Sequence, residues 1–419
     1  MDFALDSGNT AWMLMSTALV LFMTPGLAFF YGGMVRGKNV LAMLMQNIFA
    51  MGILAVLWAV VVFSLAFGDA GNGGFIGNLD FAFLKDVGIG GAPGGPESFL
   101  GFLTIPFVLF CAYQMTFAII TPALITGATA DRLKFAGYAV FIAVWLVLVY
   151  GPVAHMVFGG GWLAEMGALD FAGGAVVHIN AGAAALAVIF VIGKRKGYPE
   201  EPMPPHNLPF TVLGTGILWF GWAGFNAGSA LAADGIAAQA LINTILAPSA
   251  AMLGWLVVEK LKHGHATTLG AASGAVAGMV AITPCAGFVG GMAPIYIGFG
   301  AGAVCYLALG LKSKFGFDDS LDVIAVHLVG GLFGSIVLGL FADPAINGFV
   351  SNPGLFITDG GTELLKDQIV ASLVTFVYAF AVSFIIAKVI EATIGLRATD
   401  EQQDVGLDQS LHAETAYSN

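Results

Sequence analysis

The sequence is poor in charged residues, which make up only 10% of its 419 positions. A soluble chain carries roughly 25% charged residues, so this chain lacks the polar surface that contact with water would require. Hydrophobic residues make up 58% of the sequence. Together these values exclude an ordinary soluble protein and predict an all-α integral membrane protein.

Basic residues and cysteines are also scarce. Fifteen Lys and Arg stand against 26 Asp and Glu, a net charge of −11, which argues against a nucleic-acid partner because phosphates need a basic surplus. The three cysteines (Cys111, Cys285 and Cys305) lie in apolar runs without CxxC spacing. A disulfide framework or a thiolate metal site is therefore not expected, and we expect neither a metal nor a cofactor.

Long apolar runs make up much of the sequence. A helix needs about 20 mostly apolar residues to cross a bilayer, and the hydropathy pattern predicts eleven such spans. Their approximate ranges are 10–31, 40–66, 99–126, 134–154, 173–193, 208–228, 236–259, 267–284, 291–311, 322–342 and 367–393. The domain prediction is a transmembrane domain over 1–395 and a tail over 396–419.

The cations of the loops predict the orientation of these spans. One set of loops, with the segment that closes span 11, holds 13 Lys and Arg, and the other set holds only Lys85 and Lys366. Excess Lys and Arg marks the cytoplasmic side, so the N-terminus should lie outside the plasma membrane and the C-terminus inside. No basic segment precedes Thr10, so we expect no cleavable signal within this chain, although removal of one from a precursor stays open.

Two stretches of sequence repeat one another. Asp170 stands eight residues before His178 at the start of span 5, and Asp319 stands eight residues before His327 at the start of span 10. The tripeptide Ile-Thr-Pro likewise occurs in span 3, at 120–122, and in span 8, at Thr283 and its neighbours. Five spans separate the equivalent motifs.

This offset predicts two five-helix repeats, over about 10–195 and 206–342, with helix 11 at 367–393 left over. Because five is odd, the second repeat must be inverted relative to the first. Inverted repeats commonly place a transport site near the bilayer midplane, where the two copies meet.

His178 and His327 are the two histidines that lie deep in predicted spans. Ionisable residues at that depth usually face a cavity or a pathway, although hydrogen-bonded core histidines are the alternative. Two imidazoles without HExxH spacing are too few for a metal site. A weak base could cross between them as a neutral molecule, since each ring can accept a proton at one nitrogen while donating from the other.

Four motifs resemble those of the ammonium transporter (Amt/Mep/Rh) family. They are Phe22-Met-Thr-Pro-Gly-Leu-Ala-Phe-Phe-Tyr-Gly-Gly-Met-Val-Arg-Gly-Lys-Asn39, Asp170-Phe-Ala-Gly-Gly-Ala-Val-Val-His-Ile179, Gly221-Trp-Ala-Gly-Phe-Asn-Ala-Gly-Ser229 and Asp318-Asp-Ser-Leu-Asp-Val-Ile-Ala-Val-His327. The resemblance runs from about residue 10 to the tail. It implies a homotrimer of eleven-helix protomers, each with a pore selective for ammonium.

The resemblance also implies roles for single residues. His178 and His327 match twin pore histidines, and Phe117 and Phe225 match two stacked rings that gate the pore. An external ammonium site would include Ser229, with Trp222 beside it. Asp170 would support cation recruitment while also capping span 5, a role that Asp commonly takes, and Thr283 would give structural support.

Two positions of the external site depart from the family pattern. Phe158 stands where bacterial members usually carry Trp, and Tyr113 stands where Phe is usual. Trp is the best cation–π partner, so Phe158 should weaken the capture of ammonium or alter its selectivity.

The tail turns polar from Leu396, and its composition alone predicts a solvated segment that is flexible when isolated. The stretch Gly406-Leu-Asp-Gln-Ser-Leu-His-Ala-Glu-Thr-Ala-Tyr417 resembles the family's tail motif, which docks on the cytoplasmic face. The resemblance implies regulation there by a PII-type signal protein.

Other functions stay open at this point. The pore could carry another small neutral or weakly basic solute, such as methylamine or CO₂, or the protein could sense ammonium through partners. An intramembrane enzyme would need carboxylates at ligand spacing deep in the helices, which the sequence does not offer, so we expect a transporter and not an enzyme.

Overall fold

The computed structural model describes residues 5–69, 74–94 and 98–417, and their regular secondary structure is helical. Ten helices are long and apolar enough to cross a membrane, and an eleventh, α8, is shorter. The helices are α1 (Ser7–Met34), α2 (Gly37–Phe67), α3 (Phe107–Thr129), α4 (Phe135–Met166, broken at 159–161), α5 (Gly174–Ile192), α6 (Leu208–Ala230), α7 (Gly235–His263), α8 (Thr268–Ile282), α9 (Ala293–Phe315), α10 (Ile324–Phe341) and α11 (Glu363–Thr393).

The start of the third predicted span was wrong. The apolar run begins at 99, but residues 98–106 form turns and α3 begins only at Phe107. Pro106 precedes the first helical residue, and the residue before a proline is driven into extended backbone. Hydropathy alone therefore placed this helix about eight residues too early.

Polar side chains set the starts of several helices. Asp6 accepts a hydrogen bond from the Asn9 amide at 2.7 Å before α1, and Asp234 accepts one from the Ala237 amide at 2.9 Å before α7. A side-chain oxygen at this position satisfies an N–H group that the helix itself leaves free. These caps explain why long apolar helices begin at defined residues.

The bundle has two ends, which we call the N-terminal face and the tail face. At the N-terminal face the Asp6 amide donates to the Thr104 carbonyl at 2.8 Å. At the tail face the Leu407 amide donates to Asn39 at 2.8 Å, and Asp408 accepts from the Ala42 amide at 2.8 Å. Asp6 and Leu407, near the two ends of the described chain, therefore lie at opposite ends of the bundle.

The two histidine-bearing helices, α5 and α10, cross at very close range. A methyl group at Gly182 of α5 would lie 2.6 Å from the backbone nitrogen of Leu328 on α10, and one at Gly331 would lie 3.0 Å from the Cβ atom of His178. Small residues allow helix backbones to approach in this way. Each helix opens with a π-helical segment, Gly174–Ile179 in α5 and Ile324–Val329 in α10, which contains its histidine.

The tail is docked on the bundle, as the resemblance of its motif implies, whereas composition predicts flexibility only for the isolated segment. It forms two short helices, α12 (Asp400–Val405) and α13 (Leu407–His412), which pack on the tail face. The Lys38 ammonium donates to the carbonyls of Gln403 at 2.8 Å and Asp404 at 2.7 Å. Composition is a poor guide here because the tail has no core of its own. It is held by contacts to the bundle, both polar ones and the apolar packing of Ala398 and Leu407 with Ala42.

Candidate pore and its entrance

Asp170 anchors the start of α5. Its carboxylate accepts four backbone hydrogen bonds, from Gly173 at 2.8 Å, Gly174 at 2.6 Å, Ala175 at 2.8 Å and Val176 at 3.2 Å. These donors are the N–H groups that a helix start leaves unsatisfied. The capping role expected of Asp170 is seen directly in these contacts, and it fixes the helical segment that carries His178.

Asp319 caps the start of α10 at the opposite end of the bundle. It accepts from the amides of Val323 at 3.1 Å and Ile324 at 2.7 Å, at the start of the segment that carries His327. Burial, followed by the nearby Asp322 carboxylate, raises the pKa of Asp319 to about 7. The two histidine helices are thus capped by equivalent carboxylates at opposite faces.

His178 and His327 meet in the middle of the bundle. Their Nδ1 atoms lie 3.2 Å apart, and the side chains are almost completely buried. At this distance one nitrogen donates and the other accepts, so the pair shares a single proton along this contact. The Nε2 atom of His178 has no hydrogen-bond partner within the part of the chain that the structure describes, so this polar atom is free to meet a small molecule.

The two rings line a small enclosed cavity of about 10 Å³. A cavity of this size holds about one water-sized molecule. Besides the two histidines, its wall consists of Met23, Leu27, Phe30, Ile120, Leu124, Val177, Leu218, Trp222, Phe225 and Val276. A molecule in this cavity would find imidazole nitrogens as its main polar partners.

Phe117 and Phe225 close the cavity toward the N-terminal face. Their ring centroids lie 4.6 Å apart at an interplanar angle of 69°, so the rings meet edge to face and are not stacked as the resemblance implied. Both side chains are buried. Phe225 also stacks on His178 at 6.0 Å. The two phenylalanines therefore separate the histidine cavity from the space beyond them.

That space is an outer cavity of about 150 Å³. Phe158, Ser229 and Asp170 line it, as does Phe117 of the ring pair. Tyr113 lies behind the wall, where its hydroxyl donates to the carbonyls of Gly224 or Phe225 at 2.9–3.0 Å and lies 3.2 Å from the Ser229 oxygen. The outer cavity thus combines aromatic faces, a hydroxyl and a carboxylate, a set of groups that suits a small cation.

Trp222 was predicted beside the external site with Phe158 and Ser229, but it lies on the other side of the ring pair. It lines the histidine cavity and stacks on His178 at 5.5 Å, while its indole N–H donates to Thr283 at 2.9 Å. Along α6, Trp222, Phe225 and Ser229 are spaced by three and four residues, so they follow one helix face in order of depth. Ser229 is the outermost of the three and Trp222 the innermost.

Gln114 is an outer-cavity residue that the sequence reasoning did not include among its candidates. It lies four residues after Phe110 and three before Phe117, and all three line the cavity. Residues with this spacing lie on one face of a helix. The position of Gln114 could therefore have been predicted from that of Phe117.

A buried charge network lies at the tail face between the two histidine helices. Arg132 is fully buried, and it donates to the Gly193 carbonyl just after α5, to the Ser320 hydroxyl and to the Asp318 carbonyl. Arg195 binds the Asp318 carboxylate with two contacts of 2.9 Å. Burial lowers the pKa of Arg132 to about 10, which leaves the guanidinium charged at neutral pH.

Comparisons with known proteins agree on one family. The model of the Ammonium Transporter Family matches residues 11–417. A protein of Mycobacterium tuberculosis called ammonium transporter is 50% identical over 433 residues, covering 98% of this chain and 90% of its own length. An ammonium transporter of Bacillus subtilis is 47% identical over 99% of this chain and all of its own length. The crystal structure of Candida albicans Mep2 matches with a TM-score of 0.88 and 34% identity, over 100% of this chain and 94% of that one.

Proposed function

We propose a transport mechanism for this chain from the premise that it belongs to the ammonium transporter family. The protein carries ammonium across a membrane. In the proposed mechanism an ammonium ion is captured in the outer cavity and gives up a proton near the ring pair. Ammonia crosses the histidine cavity, and the hydrogen-bonded pair of His178 and His327 relays the proton toward the tail face, so that each transported ammonium carries one charge across.

Capture is supported by the chemistry of the outer cavity. The faces of Phe158 and Phe117 attract a cation through their ring quadrupoles, the Ser229 oxygen can accept a hydrogen bond, and the Asp170 carboxylate contributes negative charge. Because four backbone amides already bind Asp170, it would act mainly through its field and through the position of α5.

Deprotonation is supported by the histidine cavity itself. A charged ion would have to shed its hydration in a space of about 10 Å³ whose walls are mostly apolar, which is costly without oxygen ligands. Ammonia avoids that cost, since it is neutral and can accept a hydrogen bond from one imidazole N–H while donating to an imidazole nitrogen. K⁺ has no proton to release, so the same cavity would exclude it.

The observation that carries this proposal is the 3.2 Å contact between the two Nδ1 atoms beside the enclosed cavity. The test is electrical recording on reconstituted protein during ammonium jumps, for wild type, His178→Ala and His327→Ala. Since a hydrogen bond to a charged group contributes about 1.5–3 kcal/mol, we expect the ammonium-selective current to fall roughly tenfold or more in each variant.

The matched control is His263→Ala, because His263 is exposed at the end of α7 and should leave the current unchanged. Currents of wild-type size and selectivity in both pore variants would remove the histidines from the mechanism.

Phe158 provides a second test, at the entrance. Replacing it with Trp should lower the half-saturating ammonium concentration by about fivefold, because Trp attracts a cation more strongly by about 1 kcal/mol. The measurement is the concentration dependence of the current. Phe99→Trp serves as control, since Phe99 lies in the neighbouring loop and does not line the outer cavity. An unchanged half-saturation in Phe158→Trp would show that this ring does not bind the substrate.

We propose eleven spans, with α8 as the short one, in two inverted five-helix repeats plus α11. The antiparallel α5 and α10, capped by Asp170 and Asp319 at opposite faces, support this arrangement. We further propose a homotrimer in the plasma membrane, with the N-terminal face outside and the tail face in the cytoplasm, where a PII-type regulator could bind the docked tail.

A further inference from the structure

The side chain of Gln368, near the start of α11, is buried and fully hydrogen-bonded. It is 2% exposed. Its oxygen accepts from the Leu169 amide at 2.7 Å, and its NH₂ group donates to the carbonyls of Leu169 at 2.8 Å and of Ser335 at 2.9 Å. Leu169 directly precedes Asp170, and Ser335 lies in α10, which carries His327. Gln368 therefore joins α11 to the segment that enters α5 and to α10.

The contacts of Gln368 are one of two anchors around Asp170. The other anchor follows it, where the Phe171 amide donates to the Pro284 carbonyl at 3.1 Å. The capping bonds of Asp170 itself reach only forward, to the amides of residues 173–176. The position of the residue before Asp170 thus depends on Gln368.

The segment that contains Asp170 has room to move on one side. A side cavity of about 290 Å³ lies there, and Gly167, Leu169 and Asp170 are among the residues that line it. Protein interiors are normally close-packed, so a segment beside a cavity of this size is not held by packing alone. Its hydrogen bonds to Gln368 therefore carry more of the task of holding it in place.

The tail face repeats this arrangement with a different side chain. Arg132 donates to the carbonyl of Asp318, the residue before the capping Asp319, and the residue after that cap donates to the Ala128 carbonyl at 3.2 Å. A neutral amide thus takes, at the N-terminal face, the place that a guanidinium takes at the tail face. Because a positive charge beside Asp170 would oppose the attraction of a cation, a neutral side chain suits the entrance.

We propose that Gln368 is a positioning residue for ammonium capture, which holds the Asp170 carboxylate against the outer cavity through its contacts with Leu169. Gln368 is not among the described residues that line the outer cavity, so it acts through Asp170 and does not touch the substrate. The inference rests on the capture step proposed above. A carboxylate that moves from about 5 Å to about 7 Å from a cation loses about a third of its attraction, which corresponds to about fivefold in affinity.

The test is the concentration dependence of the ammonium current of reconstituted Gln368→Met. Met is unbranched and of similar length, but it makes none of the three hydrogen bonds. We expect the half-saturating ammonium concentration to rise about fivefold, while the maximal current per folded protein falls less than about twofold. A merely structural role would lower the yield of folded protein and leave the half-saturating concentration of that fraction unchanged, which would overturn the proposal.

Ser383→Ala is the matched control on the same helix. Ser383 is fully buried and accepts from the indole N–H of Trp145 at 2.9 Å, so its loss also removes a buried contact between helices. It lies near the other end of α11, far from Asp170. This variant should lose thermal stability and keep the wild-type half-saturating concentration. An equal rise in both variants would reduce the effect to a loosened α11 and would contradict a specific role for Gln368.

Gln368→Asn provides the decision if the Met variant does not fold. Asn keeps the amide but is one methylene shorter, so it cannot bind Leu169 and Ser335 together, and we expect a rise of about twofold to threefold. An unchanged half-saturating concentration in the folded Asn variant would overturn the proposal.

Phe158→Trp, measured alongside, reports on capture by itself. If it changes the half-saturating concentration and the folded Gln368 variants do not, the positioning role fails alone. If none of these variants changes it, capture in the outer cavity fails and the role of Gln368 fails with it.

Discussion

Asp170→Ala is expected to lower the ammonium current about 100-fold or more. The loss has two sources, which are the negative charge at the outer cavity and the cap of the helix that carries His178. Two charges about 5 Å apart at an effective dielectric of 20 interact with about 3 kcal/mol, and that energy corresponds to roughly 100-fold in rate. The measurement is the ammonium-induced current per reconstituted protein.

Asp170→Asn separates the two sources. Asn is itself a good capping residue, and its single side-chain oxygen can accept from two of the four amides, but its NH₂ group would face the other two. We therefore expect the Asn variant to lose less thermal stability in detergent than the Ala variant, but to show a current almost as low. A wild-type current in Asp170→Asn would show that the charge has no role.

The control is Asp234→Ala, which removes the cap of α7 at the same face. Loss of a cap costs about 1 kcal/mol, so this variant should lose stability but keep its current. If both Ala variants lost current equally, capping alone would explain the effect at Asp170.

The membrane-spanning helices were largely predictable because the bilayer imposes a length and an apolar composition on each of them. The predicted spans are wrong where something other than hydropathy sets the bounds of a helix. The apolar residues 99–105 precede Pro106 and form turns instead of helix, and α8 is shorter than the spanning length. Neither result follows from hydropathy.

The histidine pair was also suggested by sequence, since the repeated spacing of Asp and His pointed to equivalent positions. The 3.2 Å contact joins residues 149 positions apart, and only tertiary packing could produce it. The depth of Trp222 could not be read from the sequence either. Trp222 and Ser229 belong to one motif, but they lie on opposite sides of the ring pair.

Arg132 shows what a charge count misses. In the sequence it was one of the 13 cations that indicate the cytoplasmic side, but in the structure its side chain is fully buried. A count of loop charges reports on topology, and it cannot distinguish a solvated cation from one that joins helix ends.

Arg132→Met should be the most destabilising single change at the tail face. The guanidinium joins the Gly193 carbonyl, after α5, to Asp318 and Ser320, before α10. Removal of one partner from a buried charge network costs about 3–5 kcal/mol, because the groups left behind are buried without partners. We expect a large fall in the midpoint of thermal denaturation in detergent and a low yield of folded protein.

Arg36→Met is the matched control, since Arg36 is also an arginine of the tail face that pairs with a carboxylate. It binds Asp131 at 2.9 Å, but its side chain is 20% exposed, and water can replace part of what is lost. Its denaturation midpoint should fall much less than that of Arg132→Met. Equal shifts in the two variants would mean that burial of Arg132 adds nothing to its role.

The same network also bears on transport, because Arg132 sets the spacing between the ends of the two helices that carry His178 and His327. Without these contacts at the tail face, the distance between the two imidazoles should vary more widely. In the wild-type structure their Nδ1 atoms lie 3.2 Å apart. For the folded fraction of Arg132→Met, reconstituted and measured alone, we therefore expect a reduced ammonium current. A normal current in that fraction would confine Arg132 to stability and would show that α5 and α10 hold the histidine pair without it.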